Sequence, residues 1–498
     1  MAVVSLLLAG LAALLGSLWV YISWNFNYWS KRGVPSANAL SLFGDRGGGL
    51  PFGKPFWTNL SPIYRKYKPL GHRYAGFFQA RRPVLVVLDP ELAKTVLTKE
   101  FSSFQGRGQP FDEEGDPRWK NLRSKLSPVF TSGKLKLMFP LMRDVSDRLD
   151  ARLRELRDAE GAGGEVEMRD LLFRYATDVI GSVAFGIKCD SLAGAEDEFY
   201  DMSREVFNRN LLFILRFFLA SVHPAFVKLL PFKSVFSKAT SFFITLMRET
   251  VQFRTRNKVN RDDLVKLMMQ LRETDLGETD RLNHVEFNET TMAGTAFLFF
   301  IAGLDAVANT VGFALHHLAL EPHWQQRVAE EVRACKARHG GAITYEAVRD
   351  MELVDRVIQE TLRLYSPGVI ITREPDHAFK DSDIVIDNTA MVWIPVYEMM
   401  HDPEYFPDPE RFDPDRFTEE AKRQRHSYVY LPFGEGPRFC IAERFATLEL
   451  KLCLAGLIDK QVFSVGRKTE PVPALDPSKF APSPKNGFWL KAQDRTTA

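Results

Sequence analysis

Residues 432–446 read Pro432-Phe433-Gly434-Glu435-Gly436-Pro437-Arg438-Phe439-Cys440-Ile441-Ala442-Glu443-Arg444-Phe445-Ala446. Glycine and proline break regular structure up to Phe439, and an amphipathic helical pattern sets in at about Ile441, which places Cys440 at a helix N-terminus. Backbone N–H groups and the positive end of the helix dipole favour a thiolate at such a position, and the thiolate is the form that binds a metal. Phe433 is placed to shield the sulfur from water. Gly434 and Gly436 let the backbone turn close to a flat macrocycle, and Arg438 is placed to reach a carboxylate on its rim. An isolated cysteine is ordinarily a small buried hydrophobe. The turn opening onto a helix is what sets this one apart.

The stretch resembles the cysteine loop of the cytochrome P-450 family, F-x-x-G-x-R-x-C-x-G. In that family the cysteine is the axial ligand of haem iron and the arginine holds a haem propionate. One position departs from the pattern: Ala442 stands where the family has glycine, a small-for-small change that tightens the contact with the ring. The resemblance implies haem b as cofactor, with Cys440 as its metal ligand. It also implies the cytochrome P-450 fold, mainly α with a small β subdomain.

The chain has 498 residues, 45% of them hydrophobic and 39 of them Phe, which is ample for a large core. No Pro/Gly/Ser-rich linker or charge block divides it, so residues 31–498 are expected to form one catalytic domain. Sixty-five basic residues against 63 acidic ones give a net charge of +2, which argues against nucleic acid as a partner. Cys189, Cys335, Cys440 and Cys453 show no paired spacing, so neither a disulfide framework nor a zinc cluster is expected.

Met1 to Ser30 carries no charged side chain, and its apolar run to about Trp24 is long enough to cross a hydrocarbon core of about 30 Å. Trp19, Tyr21, Trp24, Tyr28 and Trp29 read as an interfacial aromatic belt, and Lys31-Arg32 place the remainder of the chain in the cytosol. Residues 1–30 are therefore expected to be a single transmembrane helix, leading into a stiff hinge at Gly33-Val34-Pro35. The apolar stretch Leu211 to Phe236 reads as a second, shallow membrane contact.

From Arg73 to Leu88 the pattern is strand-like. A helix that Pro117 can open and Pro128 must close carries Trp119 and Arg123 one turn apart on one face. The segment Phe101 to Arg118, part of the substrate wall in the family, is short here. Phe287 to Leu320 is a long helical pattern, free of charge from Met292 to Leu304, and is expected to run through the centre of the protein. Asp305 interrupts it, and an acid in such a setting is costly unless paired or functional. Met351 to Leu364 is helical by spacing and puts Glu360 and Arg363 on one face.

In the family, the pair at Trp119 and Arg123 holds haem propionates, and so does the arginine corresponding to Arg373. The segment Ala302-Gly303-Leu304-Asp305-Ala306-Val307 resembles the oxygen-binding A-G-x-[D/E]-T-[T/S]. There Gly303 implies a groove beside the haem and Asp305 a proton source. The family threonine is replaced by Ala306, and the nearest hydroxyl on that face is Thr310. Asp408-Pro409-Glu410-Arg411-Phe412 implies that Arg411 completes a buried Glu360-Arg363-Arg411 network. The turn near Ala481-Pro482-Ser483-Pro484 implies a return of the tail to the pocket.

No glycine-rich dinucleotide fingerprint comes after a strand, and no cysteine quartet could hold an iron–sulfur cluster, so electrons are expected from another protein. The resemblance implies a monooxygenase of the microsomal type, closest to arthropod members that handle xenobiotics and endogenous lipophiles. It implies residence in the endoplasmic reticulum membrane with the catalytic domain on the cytosolic side. It also implies electrons from NADPH-cytochrome P-450 reductase, with cytochrome b5 as a further partner. Two other readings stand beside it: a haem-thiolate isomerase or dehydratase acting on a ready-made peroxide, and a non-catalytic haem-binding protein.

Overall fold

A computed structural model describes residues 2–36, 54–79, 81–107, 118–161, 164–194, 197–207, 237–275, 287–381 and 384–495. The stretch Leu211 to Phe236, Gly47-Gly48-Gly49 and residues 108–117 of the proposed substrate wall lie outside them.

The element that positions everything else is the 32-residue helix Glu289–Leu320, the central helix below. Asn288 caps it, its side-chain oxygen accepting from the backbone N–H groups of Thr290 and Thr291. Pro322 opens the next helix immediately beyond its end. By length and composition it could cross a membrane, but two-thirds of its apolar window is buried inside the protein. A helix apolar on all sides is a core helix. It packs closely on the helix Met168–Ile180. A methyl group on Gly303 would sit 3.1 Å from Ile180 Cδ1, and one on Gly312 would sit 2.2 Å from a ring carbon of Phe488. Gly303 thus serves helix contact in addition to the groove expected of it. Phe185, Phe199, Phe243 and Phe300 interlock on the same side, Phe243 and Phe300 with centroids 4.4 Å apart.

Three small sheets flank the helices. One has the order β1 (Tyr74–Gln79), β2 (Arg82–Val87), β7 (Met391–Ile394), β4 (Ile371–Arg373). Pairing is antiparallel from Tyr74↔Val87 to Gln79↔Arg82, parallel at Leu85↔Val392 and antiparallel at Thr372↔Trp393. The second has the order β3 (Glu165–Glu167), β9 (Trp489–Asp494), β8 (Gln461–Val465), and β5 (Phe379–Asp381) pairs with β6 (Ile384–Ile386). The parallel β2–β7 pair carries a chain crossover of about 300 residues, so the first sheet ties the start of the globule to the segment beside Arg373.

The helix Ala2–Ser23 forms as its composition demands, and Val4, Leu6, Leu8 and Val20 are exposed on it. The expected aromatic belt is corrected at its last two members. Tyr28 and Trp29 are buried, and Trp29 Nε1 donates to the Phe77 carbonyl at 2.9 Å. The glycine at 76 makes room for that indole, since a Cβ there would lie 2.4 Å from Trp29 Cγ. At the stiff hinge expected over Gly33-Val34-Pro35, Val34 is buried and Gly76 N donates to the Pro35 carbonyl at 2.7 Å. Tyr28 and Trp29 thus pack on the globule just before the boundary expected at residue 30.

The buried ionic network also differs from expectation. Glu360 and Arg363 pair at 2.7 and 2.9 Å, both fully buried in the helix Glu352–Leu364. The third member is Arg416, 3.5 Å from Glu360, while Arg411 is exposed and contributes only its carbonyl, to Arg363. The arginine one motif further along, in Asp413-Pro414-Asp415-Arg416-Phe417, is the one facing inward, because a 3-10 turn over Pro414–Phe417 brings it against that helix. Breaking a buried pair strands a charge, at a cost of about 3–5 kcal/mol, whereas an exposed arginine is worth within about 0.5 kcal/mol. Arg363→Ala is thus expected to collapse the denaturation midpoint, Arg416→Ala to lower it, and Arg411→Ala to leave it in place. Equal losses for Arg411→Ala and Arg416→Ala would contradict this assignment.

Candidate active site

A cavity of about 410 Å³ runs from the cysteine loop to the central helix. Phe433, Gly434, Arg438, Cys440 and Ala442 line it on one side, Ala302, Gly303, Ala306 and Thr310 on the other, and Arg107 and Arg373 at its edge. Most of the sequence-predicted site residues thus converge on one space.

The loop is held by its own backbone. Cys440 N donates to the Phe433 carbonyl at 2.8 Å, and a 3-10 turn over Gly436–Arg438 leads into Cys440. The helix beyond spans Glu443–Lys460 with Ala442 as its cap, so Cys440 stands just before the N-terminus. Burial pushes the Cys440 thiol up; the Ala442 N–H, Arg123 and Arg107 oppose that rise, and Glu443 adds to it. The helix terminus therefore limits that rise without making the thiol acidic by itself. Gly436 is required for a reason other than the one expected. With φ +74°, a Cβ there would lie 1.9 Å from the Leu97 carbonyl oxygen. Its neighbour is backbone from residues 95–99.

At the cavity edge the electrostatics are one-sided. Arg373 is buried, its Nη1 donates to the Thr372 carbonyl at 2.9 Å, and its Nε has no partner among the described residues. Burial, with the charges of Arg107 and Arg438 beside it, holds this guanidinium down to about 9. Three arginines converging in a half-dry space favour an anion beside them. Arg107 went unread in the sequence. Its placement comes from the bridge Gly106↔Glu374 and from Thr372 Oγ1 donating to the Arg107 carbonyl at 2.8 Å, contacts between segments about 265 residues apart. Arg438 lies 3.7 Å over the Trp119 ring and Arg123 4.7 Å over the Phe439 ring. Trp119 and Arg123 therefore reach the rim through these stacked neighbours, and neither lines the cavity itself.

On the central helix, Asp305 is corrected. It turns away from the cavity to pair with Arg169 at 2.8 Å, and Arg169 Nε also donates to Asn309 Oδ1 at 3.2 Å. The cost anticipated for an acid at this position is met by that pairing. Thr310 is buried and lines the cavity, and among the described residues its hydroxyl makes no hydrogen bond. The tail turn reaches the central helix rather than the cavity wall: Ser483 Oγ lies 3.4 Å from Asn309 Oδ1.

A thiol before a helix, a cradle with two left-handed glycines at φ +72° and +74°, and three arginines beside the same cavity fit a flat metal-bearing macrocycle with two carboxylates. The sequence as a whole matches the family model described as Cytochrome P450 over residues 47–490. The chain belongs to the cytochrome P450 family. It is 36% identical to cytochrome P450 6A1 of Musca domestica, over 98% of each chain. It is 36% identical to cytochrome P450 9e2 of Blattella germanica, over 95% of each, and 34% identical to cytochrome P450 6a9 of Drosophila melanogaster, over 99% of this chain and all of the relative. As a cytochrome P450 it is a haem-binding monooxygenase, an oxidoreductase, and members of the family draw electrons from a redox partner. Cys440 is expected to be the iron ligand. Replacing it with Ser is expected to abolish the thiolate-type band of the reduced carbonyl complex while leaving the far-ultraviolet helical signal; a retained band would reassign the ligand.

Proposed function

We propose that this cytochrome P450 oxidises a lipophilic small molecule, xenobiotic or endogenous, with electrons passed from NADPH by a separate flavoprotein reductase. The observation that carries the proposal is the cavity itself. Its middle is walled by Val129, Phe130, Ile180, Val183 and Phe299, and the cations that line it are Arg107, Arg373 and Arg438. Apolar walls favour an apolar substrate and exclude water. The helix Ala2–Ser23, about 33 Å long at 1.5 Å per residue, supports a membrane anchor, with the globule on the cytosolic side of the endoplasmic reticulum.

In this reading Arg107, Arg373 and Arg438 hold the two propionates of haem, and Cys440 holds its iron. Haem supplies the activation of O2 and insertion of one oxygen atom into a C–H bond. Gly303 and Ala306 would leave space in the cavity, and Val129 and Phe130 would orient the substrate. A hydroxyl at residue 306 would hold a proton beside that space. Ala306 has none, which is also what supports the rival reading of an isomerase or dehydratase that uses a ready-made peroxide and needs no reductase.

Ala306→Thr is expected to raise product formed per NADPH consumed on generic substrates, since a general acid–base group contributes about 10²–10⁴ in rate. Tight coupling in the unmodified protein, with no gain in the variant, would show that proton delivery does not depend on a hydroxyl at 306. Absence of NADPH consumption beside isomerisation of a peroxide would favour the rival.

Reductase docking is placed on the cysteine side. Lys120 and Arg444 are exposed there, Lys125 is half-buried, and Lys120 adjoins the Trp119 that stacks on Arg438. An acidic flavoprotein surface would be steered by such charge. Lys120→Glu with Arg444→Glu is expected to slow reduction at low salt and flatten its salt dependence; unchanged rates would remove this face from the docking surface.

A further inference from the structure

A phenol with a base on its hydroxyl stands directly behind the cavity wall. Tyr365 ends the helix Glu352–Leu364, just after Leu362 and just before Pro367, both of which line the cavity. On the central helix, Phe313 and His317 follow the cavity residue Thr310 by one and two turns. The Phe313 and Tyr365 rings stack with centroids 3.7 Å apart and an interplanar angle of 1°. The Tyr365 hydroxyl lies 3.2 Å from His317 Nε2. Phe412 fixes the imidazole in turn, parallel to it at 4.4 Å. With both rings clamped, the hydroxyl is held on that nitrogen.

Burial, with the charges on His316 and Arg363 beside it, holds the His317 imidazole down to about 3, so the ring is neutral at physiological pH. With its proton on Nδ1, it accepts through Nε2. Burial pushes the Tyr365 hydroxyl up, Tyr397 and Glu410 add to the rise, and Arg363 opposes it, so the phenol keeps its proton. A phenol held this way does not ionise, but it can lose a proton and an electron together. An oxidised phenol is strongly acidic and surrenders its proton even to a weak base. Other described tyrosines have one half of this arrangement. Tyr64 and Tyr200 donate to the carboxylates of Asp402 and Asp170, but they stand on the helices Ser61–Tyr67 and Glu198–Phe207, neither of which lines the cavity. Tyr430 precedes the cavity residue Leu431 but donates to the Gln359 carbonyl, which is no base.

We propose that Tyr365 and His317 form a proton-coupled redox pair that discharges the site when it has been oxidised with no substrate to attack. The proposal rests on the monooxygenase reading above. The Tyr365 O–H bond breaks: its electron passes to the oxidised haem, its proton forms an N–H bond at His317 Nε2, and a neutral phenoxyl remains. An electron from NADPH, passed by the reductase, then returns to the phenoxyl together with the His317 proton, and the phenol is restored. Idle turnover consumes O2, four NADPH-derived electrons and four solvent protons and yields two molecules of water, with one of those electrons passing through Tyr365. The pair thus gives the chain a second activity, reduction of O2 to water, and spares the macrocycle and the apolar wall from oxidation.

The test uses the full, haem-loaded chain without substrate, oxidised with hydrogen peroxide and freeze-quenched. Electron paramagnetic resonance is expected to show a phenoxyl radical, identified by collapse of its hyperfine splitting when the protein is made with ring-deuterated tyrosine. Tyr365→Phe keeps the stack and removes the hydroxyl; it is expected to abolish that signal and to speed bleaching of the haem absorption several-fold. His317→Gln keeps a hydrogen-bond partner and removes the base. It is expected to slow radical formation by about a hundredfold, the lower end of what a positioned base contributes. An unchanged band of the reduced carbonyl complex in both variants would show that the fold is kept. A tyrosine-derived signal of equal size in Tyr365→Phe, or equal formation rates with and without the His317 imidazole, would overturn the proposal. Should the variants fail to bind haem, absence of any tyrosine-derived signal from the unmodified protein would overturn it as well. Lack of NADPH-driven turnover in every form would instead refute the reductase-driven function, and the peroxide-generated radical would still report whether Tyr365 is oxidised.

Discussion

The pairing of Glu360 with Arg363 is the interaction on which the cysteine side of this molecule depends. Two full charges lie in an apolar interior, and each is tolerated only because the other, and the backbone around them, supplies every contact it needs. Arg363 also donates to the Met400 and Arg411 carbonyls, and Glu360 accepts from Asp413 N. The segment from Met400 to Phe417 is thereby fastened to the helix Glu352–Leu364, and Tyr430, just before the cysteine loop, donates to the Gln359 carbonyl on the same helix. Such pairs are poor sources of stability compared with hydrophobic replacements, but a charge that must find one partner fixes the register of the segment carrying it. Here the segment in question leads on to the loop that carries Cys440.

A second theme is how charge is placed around one cavity. Arg107, Arg373 and Arg438 gather at its edge. The middle is apolar, and among the described residues that line it the one acid, Glu449, is buried on the helix Glu443–Lys460. Separation of this kind lets one space favour an anionic group at its edge and an apolar one in its middle.

Much of this was legible in the sequence. The cysteine loop, the central helix and the Glu360–Arg363 face come from spacing and turn chemistry, which are local properties. What escaped depends on contacts between distant segments. Arg107 reaches the cavity through a bridge to Glu374, Arg416 rather than Arg411 faces Glu360 because of a single 3-10 turn, and Trp29 leaves the membrane belt because Gly76 makes a slot for it. Asp305 was recognised as needing a partner, but nothing in the spacing of residues 169 and 305 names Arg169. Glu449 reads in sequence as one more charged position on an amphipathic helix; only the packing of that helix on all sides reveals a dry carboxyl.

The contact between Gly436 and the Leu97 carbonyl bears on when the site can come into being. The two residues are about 340 positions apart, and closing a loop of that length costs about 5 kcal/mol in chain entropy, (3/2)RT ln n, before any contact repays it. Thr98 and Tyr428, whose hydroxyls lie 2.5 Å apart, close the same loop beside it. A chain emerging from the ribosome therefore holds Leu97 long before it holds the loop that must lie against it. The cradle for the metal cannot be assembled piecemeal; it is one of the last features to form, and cofactor capture belongs to the end of synthesis rather than to its course.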